Sequence, residues 1–360
     1  MQVPQFRSFV DESDFENIRQ VFERNYIAEG PCGQEFVEKL KDITGAKHGV
    51  LASNGTLALY LALRGLGIGP GDEVIVQDLS FIASANAIEM VGAKPVFVDI
   101  PAFNDLTVDL SRIELTPNTK AIMVAHLFGT ACSNIEDVVE FCRANSLFLI
   151  EDAAQALFIG NGTTHCGTFG DVGTFSFYAD KTITTGEGGF VCTDDDTVFR
   201  RMKLLRNQGR ESSGTFMHEA IGYNFRMTDL QSALGLSQLR KIDHIRADKK
   251  RIARRYHERL GDRIEWLKVR DDFDYIPFRV IAFVDDAARV IEHMGQAGIE
   301  PRSMFVPFHM QPCFADWEFD RTAFANSDEA FRRGICLPTW VGLSDEQIDY
   351  TAEKLLEAIG

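Results

Sequence analysis

The sequence has no excess of basic residues and no long apolar run, and each absence excludes a class of protein. Its 360 residues include 37 basic and 53 acidic side chains, which give a formal net charge of −16. That sign argues against nucleic acid or an anionic membrane surface as the usual partner. The longest apolar runs, such as AIMV and LFLI, are far too short to span a bilayer. We therefore expect neither nucleic acid nor membrane as a partner.

Paired cysteines and metal-ligand motifs are also missing. Seven cysteines are scattered without a CxxC pair, which predicts buried free thiols in a reducing cytoplasm. The opening stretch MQVPQFRSFV lacks the basic and apolar regions of a signal peptide, which also favours the cytoplasm. HEAIG, beginning at His218, starts like a zinc-protease motif but has Gly222 where the second histidine belongs. No metal site is predicted.

What the sequence does contain is a regular alternation of short β-rich segments and helical patterns. Seven such segments between residues 48 and 193 predict an α/β domain whose mostly parallel seven-stranded sheet is covered on both faces. From Met227 the chain changes to one long helical pattern, DLQSALGLSQLRKIDHIRADKKRIARRYHERL, followed by mixed strands and helices. We predict a large domain over residues 1–245 and a small C-terminal α+β domain over residues 246–360.

The stretch SNGT, Ser53 to Thr56, joins a predicted strand to a predicted helix. The first amides of a helix have no partner within the helix, and together with the helix dipole they favour an anion. The amides of Gly55, Thr56 and Leu57 would point toward it. Serine, asparagine and threonine are also the usual N-cap residues, and taken alone the stretch favours simple capping.

Two carboxylates end the apolar strand in LFLIEDAAQAL. Ligands of open α/β sheets bind at this edge, and because side chains alternate along a strand, at most one of Glu151 and Asp152 faces the crevice. Asp152 could instead cap a helix over AAQALF, with Gln155 completing a capping box. The stretch leaves both interpretations open.

A third strand end, in FSFYADKTITTGEGG, carries Lys181 and then a glycine run around Glu187. Together the strand ends supply an anion cradle, a buried carboxylate and an amine. Pyridoxal phosphate (PLP) has matching groups: a phosphate, a ring nitrogen that needs a carboxylate partner, and an aldehyde that condenses with lysine. The combination predicts PLP as the cofactor, and the glycines are expected to leave room for it and for a substrate.

Five segments in this order carry a resemblance to a known family: SNGTLAL, FIASANAI, EDAAQA, GDVGTFSFYADKTITTGEGG and GYNFRMTDLQSALGLSQL. From about Tyr26 onward the chain resembles the sugar-nucleotide aminotransferases of the DegT–StrS group. The resemblance implies the fold of the aspartate aminotransferases, PLP-dependent transferase fold type I, and a homodimer with shared active sites. The spacing from Ser176 to Lys181 and GEGG is most similar to the branch that includes GDP-perosamine synthase.

The resemblance also implies a role for each matched residue. Lys181 would bind the cofactor covalently and Asp152 would pair with the ring nitrogen. The further cofactor contacts would be Gly55, Thr56, Phe81, Gln155, Ser176 and, from the partner subunit, Asn224. Each of three has a plain structural alternative: Phe81 as core, Ser176 as an edge-strand hydroxyl and Asn224 as a turn residue.

For the reaction, the resemblance implies transfer of an amino group from glutamate to a nucleotide-linked 4-keto-6-deoxyhexose. Arg226, Arg302 and His309 are candidate contacts for the sugar or its diphosphate, although surface ion pairs would explain the arginines equally well. One segment departs from the family, because YIAEGP replaces the usual WISSGP. It places Glu29 near the expected position of an anionic substrate, so the acceptor can differ from the commonest ones.

Three competing functions remain. A dehydratase of the same fold would carry histidine in place of Lys181, and a non-catalytic protein would have lost Lys181, Asp152 or SNGT. A 3-aminotransferase would more often show GDAG or GDGG where this chain has GEGG. The intact residues favour transamination, and the glycine run favours carbon 4 of the sugar.

Overall fold

The computed structural model describes residues 1–211 and 216–360. Helices α1 to α11 are Glu12–Glu23, Pro31–Thr44, Gly55–Gly65, Ala83–Met90, Ile135–Asn145, Asp196–Arg206, Asp229–Arg240, Ile242–Leu260, Ala287–Gln296, Ala325–Arg333 and Asp345–Ile359. Strands β1 to β11 are His48–Ala52, Glu73–Gln77, Lys94–Val98, Thr119–Ala125, Phe148–Asp152, Val172–Ser176, Gly189–Thr193, Glu265–Trp266, Val280–Phe283, Arg302–Ser303 and Gly334–Leu337.

The first seven strands form one sheet in the order β1-β7-β6-β5-β4-β2-β3. Neighbours from β6 to β3 are parallel, while β7 runs antiparallel to both β1 and β6. Each strand corresponds to one of the seven predicted segments. The prediction of an α/β fold with a mostly parallel seven-stranded sheet is therefore confirmed.

Both faces of this sheet are buried, as the near-continuous apolar strands require. Leu149 packs into a core with Phe36 of α2, whereas its neighbour Ile150 packs into a core with Leu61 of α3. Since successive side chains point to opposite faces, the two cores lie on opposite sides of the sheet. The carboxyl ends of the parallel strands are then left to form a site.

The long helical pattern after Met227 is two helices rather than one. It breaks at Lys241, whose backbone has φ −99° and ψ 4°. The amine of Lys241 bonds Asp14 of α1 at 2.5 Å, and α7 packs against α1 and α2. The break lets α8 leave that contact and pack against α11. A continuous helix could not make both sets of contacts.

Several basic residues of α8 form ion pairs within the protein. Arg255 forms an ion pair with Asp349 of α11 at 2.7 Å, and Arg251 contacts Asp345 in the first turn of the same helix. Acidic residues near a helix N-terminus also complement its dipole. This run of positive charge therefore joins two helices.

The second sheet is antiparallel, in the order β10-β11-β9-β8, and shares a core with α8, α9 and α11. Ile245 of α8 belongs to the core of the first sheet and Ile252 to the core of the second. The change of core thus falls within α8, and the domain boundary at residue 245 stays a prediction. Val3 also packs in the second core.

Two further expectations concern surfaces. Six cysteines are buried as predicted, but Cys313 is exposed, because it lies in a short turn at the protein surface. Within residues 1–211 and 216–360, the helices are all too short or too polar to cross a membrane.

Candidate active site

A cavity of about 720 Å³ lies where the carboxyl ends of the parallel strands face the second sheet. Most of the predicted site residues contribute to its wall, although they come from distant parts of the chain. These are Gly55, Thr56, Phe81, Asp152, Gln155, Ser176, Lys181 and Arg302.

Lys181 follows β6 and reaches the cavity with its amine 4.5 Å from the centre of the Phe278 ring. Burial lowers the pKa of this amine below its ordinary value, and the guanidinium of Arg279 lowers it further, while Asp180 and Asp152 act in the opposite direction. A lowered pKa increases the neutral fraction of the amine near neutral pH, and only the neutral amine is a nucleophile.

The helix α3 begins beside this amine with the SNGT turn. Asn54 is the N-cap, and its side chain accepts a hydrogen bond from the Leu57 amide at 2.9 Å. The amides of Gly55 and Thr56 have no acceptor within the helix and line the cavity. The N-cap therefore accounts for the Leu57 amide alone, and the amides of Gly55 and Thr56 remain available to an anion.

The glycines of GEGG do not leave room for a ligand as expected. A Cβ atom on Gly189 would lie 2.5 Å from the carbonyl oxygen of Asn54, and one on Gly188 would lie 2.4 Å from the Thr185 hydroxyl. Gly186 has φ +76°, a conformation that favours glycine. These glycines are needed for a tight turn that packs against the SNGT turn.

Asp152 ends β5 and faces the cavity. Its Oδ2 accepts a hydrogen bond from the Ser84 hydroxyl at 2.7 Å, and its Oδ1 accepts from the Ala154 amide at 3.2 Å. Turns follow Asp152, so the alternative of a helix cap is wrong. The Oε1 of Gln155 accepts from the Phe128 amide at 2.7 Å, which leaves the Gln155 amide nitrogen as its donor for a ligand.

Glu151 points away from the cavity into the protein, as the alternation along a strand requires. It is fully buried and accepts three backbone amide hydrogen bonds, each 2.7 Å long. Its Oε2 also lies 2.8 Å from Nε2 of His126, whose Nδ1 accepts from the Cys132 amide. That bond makes Nε2 the protonated nitrogen, so His126 donates to Glu151.

Two plain alternatives for predicted residues do not agree with the structure. Phe81 is half exposed and lies on the cavity wall with its ring 5.5 Å from that of Phe305, so it is not a core residue. Ser176 ends β6, which pairs with β5 and β7, so its hydroxyl is not on an edge strand.

Three predicted residues lie outside this cavity. Asn224 is exposed, and Arg226 donates to the side chain of Asn207 at 3.0 Å. His309 is buried, with Nδ1 2.7 Å from Asp78 and Nε2 3.0 Å from Asp328. Since both ring nitrogens are occupied, this position does not agree with a substrate contact for His309.

Glu29 has a cation partner in the same chain. Its carboxylate lies 2.6 Å from a guanidinium nitrogen of Arg206, at the end of α6. It borders a separate cavity with Tyr26 and Pro31. Because Arg206 compensates its charge, Glu29 adds less negative charge to its surroundings than the sequence implied.

The sequence interpretation missed a charged pair beside Lys181. Asp180 binds Arg279 at 2.7 Å, and both side chains are largely buried. The guanidinium lies 4.2 Å from the Phe278 ring, which also contacts Lys181, and Oδ1 of Asp180 has no hydrogen-bond partner. One signal was available, because Arg279 interrupts the apolar strand pattern FRVIAFV.

Comparison with known proteins agrees with this geometry. Residues 9–356 match the DegT/DnrJ/EryC1/StrS aminotransferase family. The chain is 38% identical over 328 residues to GDP-perosamine synthase of Caulobacter vibrioides, covering 88% of this chain and 86% of that protein. It is 36% identical over 362 residues to GDP-perosamine synthase of Escherichia coli O157:H7, covering 99% and 98%.

The chain belongs to the DegT/DnrJ/EryC1/StrS aminotransferase family. Its fold superimposes on the PLP form of Spr1654 from Streptococcus pneumoniae with a TM-score of 0.93 and 28% identity, covering 99% of this chain and 98% of that one. The protein is a PLP-dependent sugar aminotransferase, and the prediction of its cofactor is confirmed.

The residues that line the cavity are themselves suited to bind PLP. It holds a buried amine with a lowered pKa, a carboxylate with one donor on each oxygen, and two helix amides without an acceptor in the helix. Each is the complement of one PLP group: the aldehyde, the ring nitrogen and the phosphate.

Proposed function

We propose that this aminotransferase transfers an amino group from glutamate to carbon 4 of a nucleotide-linked 4-keto-6-deoxyhexose. The observation that carries the proposal is the convergence of Lys181, Asp152 and the α3 amides on one cavity. The names of the two relatives, both GDP-perosamine synthases, support a sugar nucleotide as the acceptor.

Lys181 is the proposed catalytic base. When bound, PLP supplies an electron sink that allows a proton to leave the carbon of an amino donor. Because burial lowers the pKa of Lys181, its Nζ can accept that proton near neutral pH and release it again. A histidine in its place could not bind the cofactor covalently, which separates this site from that of the related dehydratases.

The remaining residues bind and orient. Asp152 would face the ring nitrogen and keep it protonated, and the Gln155 amide nitrogen would donate to the ring hydroxyl. Phe81 would cover one face of the ring. The amides of Gly55 and Thr56, with the Ser176 hydroxyl, would hold the phosphate.

Arg302 is the proposed cation for an anionic substrate group. It lies on the cavity wall and is exposed. Within the part of the chain that the structure describes, it forms no ion pair. Its guanidinium rests 5.7 Å from the Phe6 ring, which leaves its donors available for a carboxylate or a phosphate.

The acceptor can be tested with GDP-, UDP- and dTDP-linked 4-keto-6-deoxyhexoses, each with glutamate and PLP. We expect formation of a 4-amino sugar nucleotide, fastest with the GDP-linked sugar, and an equal amount of 2-oxoglutarate. Borohydride reduction of the loaded protein should place the pyridoxyl label on Lys181. A label on another lysine, or amination only of 3-ketosugars, would contradict the proposal.

We further propose a homodimer in which Asn224 of one chain reaches the phosphate site of the other. Asn224 lies outside the cavity of its own chain and is exposed. In the same segment of the sequence, Phe216 is 91% and Ile221 88% exposed, and both side chains would be covered if this segment packed against a partner chain. A two-fold dimer would contain two equivalent shared sites.

Mixed dimers test this arrangement. Lys181→Ala and Asn224→Asp should each inactivate the homodimer, the second by placing an anion against the phosphate. Refolding the two variants together should restore about a quarter of wild-type activity, because half the dimers are mixed and each has one intact site. With both single variants inactive and mixed dimers present, an absence of recovery would mean that Asn224 serves its own chain.

A further inference from the structure

Ser84, on the first turn of α4, is in direct contact with the cavity's carboxylate. Its side chain is fully buried, and its hydroxyl donates to Oδ2 of Asp152 at 2.7 Å. The Oγ of Ser80 lies 3.4 Å away, at the outer limit of a hydrogen bond. The bond to Asp152 is therefore the main interaction of this hydroxyl.

The hydrogen bond from Ser84 holds one of the two carboxylate oxygens of Asp152. Oδ1 of Asp152 is held by the Ala154 amide at 3.2 Å, and Oδ2 is held by Ser84. A carboxylate with a single donor can rotate about its terminal torsion, whereas one with a donor on each oxygen is fixed in orientation. Ser84 supplies the shorter of the two bonds and the only one from another segment of the chain among the described residues.

The position of Ser84 also couples two parts of the site. Its amide donates to the carbonyl oxygen of Phe81 at 3.1 Å, so one turn holds both the Phe81 ring and the hydroxyl that binds Asp152. Phe81 and Asp152 lie on the same cavity wall. Any rotation of Asp152 away from the cavity would therefore break a bond to the turn that carries Phe81.

We propose that Ser84 is a positioning residue, which holds the carboxylate of Asp152 toward the cofactor ring. The proposal rests on the function proposed for Asp152. A hydrogen bond to an ionised acceptor is among the stronger ones in proteins, and an unpaired buried carboxylate oxygen is costly. Without Ser84, Asp152 would turn toward other donors and hold the cofactor less well.

Ser84→Ala is the direct test, with Ser84→Thr to restore the hydroxyl and Ser84→Cys to keep the volume with a poor donor. The dissociation constant of PLP, measured by fluorescence titration of the apoprotein, should rise about tenfold in the Ala and Cys variants. It should stay within about twofold in the Thr variant. The visible absorption maximum of bound PLP should shift in the same two variants. Ser237→Ala, which removes another fully buried helical serine, should change neither quantity.

Variants that also carry Asp152→Asn separate the role proposed for Ser84 from the role proposed for Asp152. If Ser84 acts through Asp152, Ser84→Ala should have no further effect on PLP binding once Asp152 is replaced. An effect of Asp152→Asn without an effect of Ser84→Ala would overturn the role of Ser84 alone. No effect of Asp152→Asn would overturn the role of Asp152. A loss in the Ala variant that is absent from the Cys variant would show that Ser84 only fills space.

Discussion

Lys249 of α8 is a buried lysine near Lys181, and its effect on the free energy of unfolding can be measured. Its side chain is buried, its amine donates to the carbonyl oxygen of Pro277 at 3.2 Å, and it borders a small cavity with Asp180 and Lys181. Burial, together with the nearby guanidinium of Arg279 and against the influence of Asp180, lowers the pKa of Lys249 to about 7.

The structure gives the size of the effect. The pKa falls from 10.5 to about 7, so between these values the unfolded chain holds a proton that the folded chain lacks. At 1.36 kcal/mol per pH unit, this difference lowers the free energy of unfolding by about 5 kcal/mol at pH 7, and the loss disappears as the pH approaches 10.5. Lys249→Met removes this loss but leaves the Pro277 carbonyl without its donor, which costs about 2 kcal/mol.

We therefore expect Lys249→Met to be about 3 kcal/mol more stable than wild type at pH 7 and about 2 kcal/mol less stable near pH 10.5. Urea unfolding of the two apoproteins across this pH range measures the difference. Lys250→Met, at the exposed neighbouring position, should give a profile parallel to that of wild type. If the Lys249→Met and wild-type profiles are also parallel, the amine is charged in the folded protein and the reasoning is wrong.

Two further predictions concern buried acids and a histidine. Glu151→Gln should destabilise the apoprotein by about 2–6 kcal/mol in urea unfolding. The amide of glutamine has only one acceptor oxygen, so two of the four donors that now bind Glu151 lose their acceptor, at about 1–3 kcal/mol each. A change below about 1 kcal/mol would contradict this network. Burial alone would lower the pKa of His309, but Asp78 and Asp328 raise it overall. The advantage of wild type over His309→Gln should therefore be complete below about pH 6.5 and shrink as the pH rises through that raised pKa, and an advantage that grows with pH would reverse the assignment.

Features that are set by residues close together in the sequence were predictable. The seven strands follow from local apolar patterning, and parallel topology then places their carboxyl ends together. Lys181 and Asp152 could be assigned to one site because Asp152 ends one such strand and Lys181 lies five residues beyond the end of the next. The alternation of Glu151 and Asp152 also follows from strand geometry, since only one of them can face the cavity.

Contacts between distant segments were not predictable in the same way. Ser84 lies 68 residues from Asp152, and Arg279 lies 99 residues from Asp180, so no local pattern links either pair. The break at Lys241 depends on Asp14, far along the chain, while the helical pattern continues across it. In each case tertiary packing decides what local preference leaves open.

The glycine run after Lys181 shows how packing changes the meaning of a motif. Gly189 meets the carbonyl oxygen of Asn54, and Gly55 approaches Ser176 so closely that a Cβ atom there would lie 2.9 Å from its Cβ. The turn that follows Lys181 and the turn that begins α3 are therefore in direct backbone contact. A side chain at either glycine would push the two turns apart, and with them the amine and the amides of the anion site. The glycines thus set the spacing between two groups that must bind one molecule, and proximity of this kind contributes strongly to catalysis.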